Sequence, residues 1–322
     1  MVTPITLESV REAAKCIEPY AHRTPVMTCA ALDERAGRRV FFKCENFQKI
    51  GAFKFRGACN AVMNLADDVA GRGVVTHSSG NHAQALALAA KLRGIEAHIV
   101  MPSTALPVKR AAVEGYGGNV YVCEPNEKAR RQRAEELVAE TGGTLISPFD
   151  HPHVIAGQGT VTLELLDEVG TLDAIIAPIG GGGLMSGTCI AGRGMKPGVR
   201  LFGAEPTGAD DAARSLAAGE LIPQTNPNTI CDGLLTSMGE VTWPIIRDHV
   251  ETIFTVSDEQ VIEAMRLVMQ RMKIVIEPSA AVAVAAVLSD EFKSLPLDAS
   301  PTSGGVGVII SGGNVDLDHL PW

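Results

Sequence analysis

The sequence predicts an α/β protein of two domains, each an open, mostly parallel, twisted sheet flanked by helices, with the functional site in the cleft between them. Short apolar segments alternate with helical patterns along two stretches of the chain, as in the successive strand–helix units of a parallel sheet. The strand candidates are runs of Val and Ile rather than alternating patterns, which is typical of sheets covered by helices on both faces. A length of 322 residues accommodates two such domains.

The first alternation begins at Val40 with the apolar strand VFFK, followed by a helical segment from about Phe53. It continues as strand GVVTHSS, helix NHAQALALAAKLRG, strand EAHIVMP, helix LPVKRAAVEGYG, strand NVYVCEP and helix NEKARRQRAEELVAETG. The second alternation contains DAIIAPIG, GLMSGTCIAGRG and VRLFGAEP, continues with helices through Met272, and ends with the strand GVGVIISGG. We expect residues 1–72 and 150–322 to form a large domain and residues 73–149 a small one.

Charge and cysteine content exclude several classes of protein. Lys and Arg number 28 against 37 Asp and Glu, and this net charge of −9 argues against a nucleic-acid partner. The seven cysteines form no C-x-x-C pair, so we expect reduced, mostly buried thiols rather than disulfides or a zinc site. No segment has the pattern of a secretory signal or a membrane span, so we expect a cytoplasmic enzyme without a membrane partner.

A run of four glycines lies between a predicted strand and a predicted helix, at Gly180, Gly181, Gly182 and Gly183. Glycines let backbone N–H groups converge, and a helix N-terminus favours an anion, so this segment predicts a phosphate site rather than a merely flexible loop. Glu205 ends the next strand about 25 residues later, near the spacing of the ribose-binding acid in dinucleotide folds. A nicotinamide-dependent oxidoreductase is therefore an alternative, although the run lacks G-x-G-x-x-G spacing.

Lys54 stands between Phe53 and Phe55 at the predicted start of a helix. Apolar neighbours lower the pKa of an amine and make it a nucleophile that can form an imine. A surface lysine whose stem covers aromatic rings is the alternative. Combined with the phosphate site, the reactive lysine predicts pyridoxal phosphate, a phosphorylated aldehyde that needs both groups.

Seven segments together carry a family resemblance that spans about Thr24 to Asp316. They are KCENFQKIGAFKFRGA, THSSGNHAQALA, VIAGQGT, IGGGGL, GAEP, EPSAA and IISGGNVD, in this order. The chain resembles the serine racemase and serine/threonine dehydratase family of pyridoxal-phosphate enzymes, which includes 3-hydroxyaspartate dehydratases and has the tryptophan-synthase-β type fold.

The resemblance implies the roles of the residues that contact the cofactor. Lys54 would form the imine and Phe53 would flank the ring. Asn81 would bind the 3-hydroxyl group of the cofactor, and Ser311 would meet its pyridine nitrogen. The cofactor phosphate would lie on the four glycines, Gly180, Gly181, Gly182 and Gly183.

The resemblance also implies how the substrate binds. An arginine at position 130 would swing toward the substrate when the small domain closes, unless Arg130 only faces solvent on a highly charged helix. His151 and His153 are candidates for binding the second carboxylate of 3-hydroxyaspartate. The substrate α-carboxylate would be bound at a turn that enters a helix, by Ser78, Asn81 and His82.

The expected reaction is the removal of ammonia from a hydroxyamino acid. A neutral hydroxyl at Ser311 does not keep the pyridine nitrogen protonated, which favours loss of a β-substituent. The substrate would displace Lys54 from its imine, the freed Lys54 would take the α-proton, and the β-hydroxyl would leave. Hydrolysis of the resulting aminoacrylate would give a 2-oxo acid and ammonia. In racemases of the family a serine occupies the position of Ser79, on the face opposite the lysine. A serine racemase is therefore the alternative, since inversion at the α-carbon needs a proton donor on each face.

The resemblance implies a divalent cation, Mg²⁺ or Ca²⁺, at Glu205, the backbone carbonyl of Ala209 and Asp211. Carboxylate and carbonyl oxygens suit such hard cations, although a solvated acidic loop has the same composition. Members of the family are usually homodimers, and a nucleotide effector is a further candidate partner. We therefore expect a homodimer that binds a small amino acid, with a nucleotide as a further partner.

Overall fold

In the computed structural model, which describes residues 4–297 and 304–322, the chain folds into two sheets surrounded by helices. The strands are β1 (Val26–Met27), β2 (Val40–Cys44), β3 (Val74–His77), β4 (Ala97–Pro102), β5 (Asn119–Cys123), β6 (Thr144–Leu145), β7 (Ala174–Pro178), β8 (Arg200–Pro206), β9 (Thr252–Val256) and β10 (Val306–Ile310). The α-helices are α1 (Leu7–Ile17), α2 (Ala30–Ala36), α3 (Lys54–Met63), α4 (Asp67–Ala70), α5 (Asn81–Arg93), α6 (Pro107–Gly115), α7 (Glu127–Thr141), α8 (Pro152–Val169), α9 (Gly183–Met195), α10 (Asp211–Ala218), α11 (Thr242–His249), α12 (Asp258–Met272), α13 (Pro278–Leu288) and α14 (Asp290–Lys293).

Both sheets are almost entirely parallel. The larger sheet has the order β1-β2-β10-β7-β8-β9, and only its edge strand β1 pairs antiparallel. The smaller sheet has the order β5-β4-β3-β6, and all of its pairs are parallel. The predicted α/β fold class with two mostly parallel sheets is therefore confirmed.

Burial explains why the central strands read as continuous apolar runs. Every residue of β2, β7 and β10 is buried, because helices cover both faces of the larger sheet. Helix α13, PSAAVAVAAVL, packs on this sheet, and its small Ala and Val side chains permit a close approach. Three rings complete this core with centroid separations of 5.3–5.7 Å, those of Phe202, Phe254 and Phe292.

The structure also contains strands that the sequence pattern did not indicate. We expected only helices from the end of β8 to Met272, but β9 lies there and forms the edge of the larger sheet. Two of the five residues of β9 are threonines, so this segment lacks the continuous apolar run that indicated β2, β7 and β10. The two-residue strands β1 and β6 give even less signal.

A buried cluster of charged side chains fastens β2, α3 and α8 to one another. Arg56 of α3 is fully buried and donates hydrogen bonds to Glu45 at 2.8 Å and to Glu164 of α8 at 2.7 Å. Lys43 of β2 is also fully buried and donates to Glu164 at 2.6 Å. Two cations and two carboxylates thus neutralise each other directly beneath the helix that Lys54 begins.

All seven cysteines are free thiols, and four of them are buried, as expected for a chain without a disulfide framework. Within residues 4–297 and 304–322, none of the helices combines the length and the apolar character required to cross a bilayer.

Candidate active site

Three segments predicted to bind the cofactor converge at one edge of the larger sheet. Lys54 follows β2, Ser311 directly follows β10, and Gly180 follows β7, and these three strands are neighbours. Because the carboxyl ends of parallel strands meet at the same edge, the fold brings the three segments together there.

Hydrogen bonds hold the segment before Lys54 against the segment after β10. The N–H of Phe53 donates to the carbonyl of Ser311 at 3.0 Å, and the N–H of Gly313 donates to the carbonyl of Gly51 at 2.9 Å. Gly51 has φ +73°, and a Cβ there would lie 2.6 Å from Oδ1 of Asn314. This position therefore requires glycine, and the turn delivers Lys54 to the first position of α3.

The Lys54 amine lies in partly buried surroundings. Its Nζ donates a hydrogen bond to the carbonyl of Pro148 at 2.8 Å and lies 5.1 Å from the centre of the Phe53 ring. Burial lowers the pKa of Lys54 to about 8, against the opposing effect of the Glu277 carboxylate. About a tenth of the amine is therefore uncharged at pH 7 and about half at pH 8, and the uncharged form is what a nucleophile or base requires.

The four glycines form a buried loop that ends in the first turn of α9. Gly182 is the N-cap with φ +88°, and a Cβ on Gly181 would lie 2.2 Å from the ring of Phe149. None of the amide N–H groups of these glycines donates a hydrogen bond to a residue in the described part of the chain. The loop thus leaves unpaired donors at a helix N-terminus, which suits a phosphate.

Asn81 connects the two sheets through its side-chain amide. Its Nδ2 donates to Oε1 of Glu277 at 3.0 Å, and its Oδ1 accepts from Nδ2 of Asn314 at 2.8 Å. Nδ2 also donates to Oε2 of the same carboxylate at 3.2 Å, so Glu277 and Asn314 hold the Asn81 amide in a fixed orientation. Burial, followed by the charge of Asp232, raises the pKa of Glu277 to about 7.

Sequence reasoning did not assign roles to Glu277 and Asn314, although both lie in segments that carry the resemblance. The signal for Glu277 is a carboxylate directly before the proline that begins the apolar helix α13. The partner of each residue is distant in the chain, so only the fold shows that both orient Asn81.

The turn before α5 has the open donors expected of a carboxylate site. The N-cap is Gly80, and no side chain caps the helix. The hydroxyl of Ser78 accepts from the N–H of Gly80 at 3.4 Å. Ser79 is half-buried in the same turn, and its hydroxyl has no hydrogen-bond partner among residues 4–297 and 304–322.

His82 lies in the first turn of α5 and is almost fully buried. Its Nε2 contacts the carbonyl oxygen of Ile146 at 3.2 Å, and a carbonyl only accepts, so Nε2 carries the proton. Burial first, and then the charge of Lys54, lowers the pKa of His82 to about 3. Its buried Nδ1 is therefore an acceptor without a protein partner in the described structure, so a carboxylate would bind the backbone N–H groups of this turn rather than the imidazole.

The predicted metal ligands are buried, so this segment is not a solvated loop. Glu205 accepts hydrogen bonds from the N–H groups of Ala212 and Ala213, at 3.2 and 2.8 Å. Burial and the neighbouring Asp211 raise the pKa of Glu205. One buried carboxylate oxygen of Asp211 has no partner among the described residues. No group of three His, Cys, Asp or Glu side chains is arranged for a metal in the described part, so a site here needs backbone oxygens such as that of Ala209.

The chain matches known proteins over nearly its whole length. Residues 17–312 match the family "Pyridoxal-phosphate dependent enzyme". A serine racemase of Dictyostelium discoideum is 49% identical over 318 residues, which cover 98% of this chain and 97% of that protein. A beta-hydroxyaspartate dehydratase of Paracoccus denitrificans is 47% identical over 317 residues, 98% of each chain. The structure of maize serine racemase has a TM-score of 0.95 at 48% identity and covers 98% of this chain and 95% of its own.

Proposed function

The chain belongs to the family of pyridoxal-phosphate-dependent enzymes, and we propose that it eliminates water from a small β-hydroxy α-amino acid. Hydrolysis of the unsaturated amino acid that is released then gives a 2-oxo acid and ammonia. The substrate class is serine, threonine or 3-hydroxyaspartate. The family predicted from the motifs is confirmed, and so is the prediction of a pyridoxal-phosphate enzyme of the dehydratase and racemase class. The nicotinamide alternative is not supported, because residues 17–312 match a family of pyridoxal-phosphate enzymes.

The residues at the edge of the larger sheet fit pyridoxal phosphate. The glycine loop offers unpaired N–H groups to the phosphate, and Lys54 offers an amine. Asn81, which Glu277 and Asn314 hold in place, is the candidate for the ring hydroxyl. Ser311 is 3% exposed and has a hydroxyl to offer the ring nitrogen. When bound, pyridoxal phosphate supplies the conjugated ring that takes up the electron pair released at the α-carbon.

Lys54 is the observation that carries the proposal. Its amine, with a pKa lowered to about 8, accepts the α-proton of the substrate near neutral pH. The backbone N–H groups at the start of α5 hold the α-carboxylate, because no side chain caps them. Since Ser311 is neutral, it does not supply a proton to the ring nitrogen, which favours elimination of the β-hydroxyl over transamination.

The test is keto-acid formation from serine, threonine and 3-hydroxyaspartate by the holoenzyme and by Lys54→Ala. The variant should form no keto acid. Lys49→Ala is the matched control, because Lys49 also lies beside an aromatic ring, 5.6 Å from the centre of Phe55. Near-normal turnover by Lys54→Ala would refute the proposal.

A serine racemase activity is the second candidate function. The half-buried hydroxyl of Ser79, which has no partner among the described residues, supports it, because this hydroxyl can return a proton to the α-carbon. Ser79→Ala should lose the interconversion of L- and D-serine while it retains elimination, measured in the same preparation. Equal loss of both activities would argue against a role for Ser79 as a separate proton donor.

We also propose that Mg²⁺ or Ca²⁺ binds between Glu205, the carbonyl of Ala209 and Asp211. The support is a pair of buried carboxylates whose pKa values are raised, both of them chiefly by burial, together with the oxygen of Asp211 that has no partner among the described residues. Chelation should lower the melting temperature of the protein, and added Mg²⁺ or Ca²⁺ should restore it. An unchanged melting temperature after chelation would remove this site from the account.

The remaining expectations stay predictions. We propose that residues 73–149 form the small domain, since all four strands of the smaller sheet lie between residues 74 and 145. The homodimer, the nucleotide effector and the cytoplasmic location are predictions of the same kind.

A further inference from the structure

The glycine loop, Gly180 to Gly183, does not determine its own conformation. Glycine adopts positive and negative φ with similar ease, so a run of four glycines can turn its peptide groups in many directions. A peptide group turned through half a circle would present a carbonyl oxygen where a phosphate needs an N–H. Contacts from outside the loop must therefore select the conformation that directs N–H groups at an anion.

Thr242, the first residue of α11, makes such a contact. It is fully buried, and its hydroxyl donates a hydrogen bond to the carbonyl of Gly181 at 2.8 Å. The carbonyl of Gly239 is a second possible acceptor, but it lies farther away, at 3.2 Å. The N–H of Gly239 donates to the Thr242 hydroxyl at 2.9 Å and to the Gly181 carbonyl at 3.3 Å. Two donors beside the start of α11 therefore hold the Gly181 carbonyl.

The direction of this carbonyl determines the direction of the next N–H. No cis peptide bond occurs in the described residues, and in a trans peptide the C=O and the N–H point in opposite directions. Because the Gly181 carbonyl is directed at Thr242, the N–H of Gly182 points to the other side of the loop, away from the Thr242 hydroxyl. A Cβ on Gly182 would lie 2.8 Å from Oγ1 of Thr242, so the loop is in close contact with this side chain.

Asp150 holds the start of α11 in the position from which Thr242 reaches the loop. Its Oδ1 accepts from the N–H groups of Val241 at 2.8 Å and of Thr242 at 3.2 Å, and its Oδ2 accepts from that of Glu240 at 3.2 Å. The first N–H groups of a helix have no partner within it, and the N-cap residue Val241 has no side-chain acceptor. The Asp150 carboxylate therefore supplies the cap from a distant part of the chain.

We propose that Thr242 is a positioning residue for the phosphate of pyridoxal phosphate and that Asp150 acts through Thr242. The Thr242 hydroxyl turns the Gly181 carbonyl away from the phosphate and thereby presents the N–H of Gly182 to it. Without this hydroxyl, only a fraction of the molecules has the loop in the binding conformation, and the affinity falls by that fraction. The inference rests on the proposed position of the phosphate at the glycine loop.

The first experiment measures how tightly the cofactor-free chain binds pyridoxal phosphate and pyridoxal, which has the same aldehyde but no phosphate, by equilibrium dialysis. Thr242→Val replaces the hydroxyl with a methyl group of similar size. It should raise Kd for pyridoxal phosphate about 5- to 100-fold, the cost of a buried polar group left without its partner, and leave Kd for pyridoxal unchanged. Equal loss of affinity for both ligands, or no loss for either, would overturn the inference.

Two control variants separate the role of the hydroxyl from general damage. Thr242→Ser keeps the hydroxyl and should restore the wild-type preference for the phosphorylated ligand. Thr188→Val should keep this preference, because Thr188 is equally buried but its hydroxyl accepts from Thr162, at 3.1 Å, and not from the glycine loop. A Thr242→Ser variant that binds like Thr242→Val, or loss of the preference in Thr188→Val, would contradict the inference. A wild-type chain without any preference for the phosphorylated ligand would overturn the proposed phosphate position itself, and the inference with it.

A second variant makes the test independent of how well Thr242→Val folds. Asp150→Ala should lower the preference for pyridoxal phosphate over pyridoxal by about 2- to 30-fold, the range expected for the loss of a helix cap. Asp173→Ala is the matched control. Asp173 is also half-buried and accepts from a backbone N–H, that of Gly305 at 2.8 Å, but it lies before β7, at the other end of the strand from the glycine loop. An unchanged preference in Asp150→Ala, or an equal fall in Asp173→Ala, would overturn the role of Asp150.

Phosphorus-31 NMR of the holoenzyme observes the phosphate directly. With the protein saturated with cofactor, the resonance of the bound phosphate should shift in Thr242→Val and stay at the wild-type position in Thr188→Val. A resonance that is the same in Thr242→Val and in the wild-type protein would contradict a change in the hydrogen bonds to the phosphate and would overturn the inference.

Discussion

The buried ion cluster beneath Lys54 gives a prediction about stability. Arg56 donates to Glu45 through Nε and Nη2, each at 2.8 Å, and to Glu164 through Nη1 at 2.7 Å and Nη2 at 2.8 Å. Replacing Arg56 with Met keeps most of the side-chain volume but removes all of these hydrogen bonds. Glu45, which is fully buried, would then keep only the Thr24 hydroxyl at 2.6 Å.

The expected cost follows from the burial of both partners. Removing one member of a buried ion pair costs about 3–5 kcal/mol, because the other charge is left without compensation in a medium of low polarity. A folded domain is stable by only about 5–15 kcal/mol. Arg56→Met should therefore remove a large part of the free energy of unfolding.

The assay is urea unfolding of the holoenzyme, followed by far-UV circular dichroism and by tryptophan fluorescence. Arg133→Met is the matched control, because Arg133 also contacts two carboxylates but lies on the surface with 28% of its side chain exposed. Exposed pairs contribute about 0–1 kcal/mol. If Arg56→Met cost no more than Arg133→Met, the cluster would not hold α3 in place and the reasoning would be wrong.

Three further predictions concern the cofactor site. Gly181→Ala should weaken the binding of pyridoxal phosphate strongly, because the new Cβ would lie 2.2 Å from the Phe149 ring, whereas Gly115→Ala, with no atom within 4 Å, should leave it unchanged in equilibrium dialysis. Glu277→Gln should also weaken cofactor binding. Its NH₂ group would replace a carboxylate oxygen that accepts a hydrogen bond from the side-chain amide of Asn81 or from the backbone N–H of Asn314. An unchanged dissociation constant for pyridoxal phosphate would contradict this. Because burial lowers the pKa of Lys54 to about 8, the uncharged fraction of the amine rises between about pH 7 and about pH 9. The rate at which the cofactor-free chain binds pyridoxal phosphate, measured by stopped-flow absorbance, should rise over the same range, and a rate that does not change with pH would contradict this.

The sequence predicted those parts of the fold that have a strong local signal. Long apolar runs next to amphipathic segments identified β2, β7 and β10 and the helices beside them. The strand β9 was missed because its five residues lie among helices and pair only with β8, a partner that local pattern does not reveal. Local pattern therefore indicates a strand only where the strand itself is an apolar run, and it does not indicate which strands pair.

The sequence likewise predicted one part of the candidate site, and only the fold shows the other part. A glycine run between a strand and a helix indicates a phosphate site, but the need for glycine at Gly181 comes from Phe149, which only the fold brings near. Likewise, helix α7 is charged along its whole length, so the sequence does not distinguish Arg130 from Arg131 or Arg133. Burial and pairing in the folded chain distinguish them.

The covalent attachment of pyridoxal phosphate to Lys54 is the most direct test of the account. The purified protein is reduced with borohydride, digested, and analysed by mass spectrometry for a lysine that carries the pyridoxyl group. We predict that the modified peptide contains Lys54 and that Lys54→Ala yields no modified peptide. Attachment at Lys49 or another lysine, or no attachment in a protein that contains the cofactor, would contradict the account.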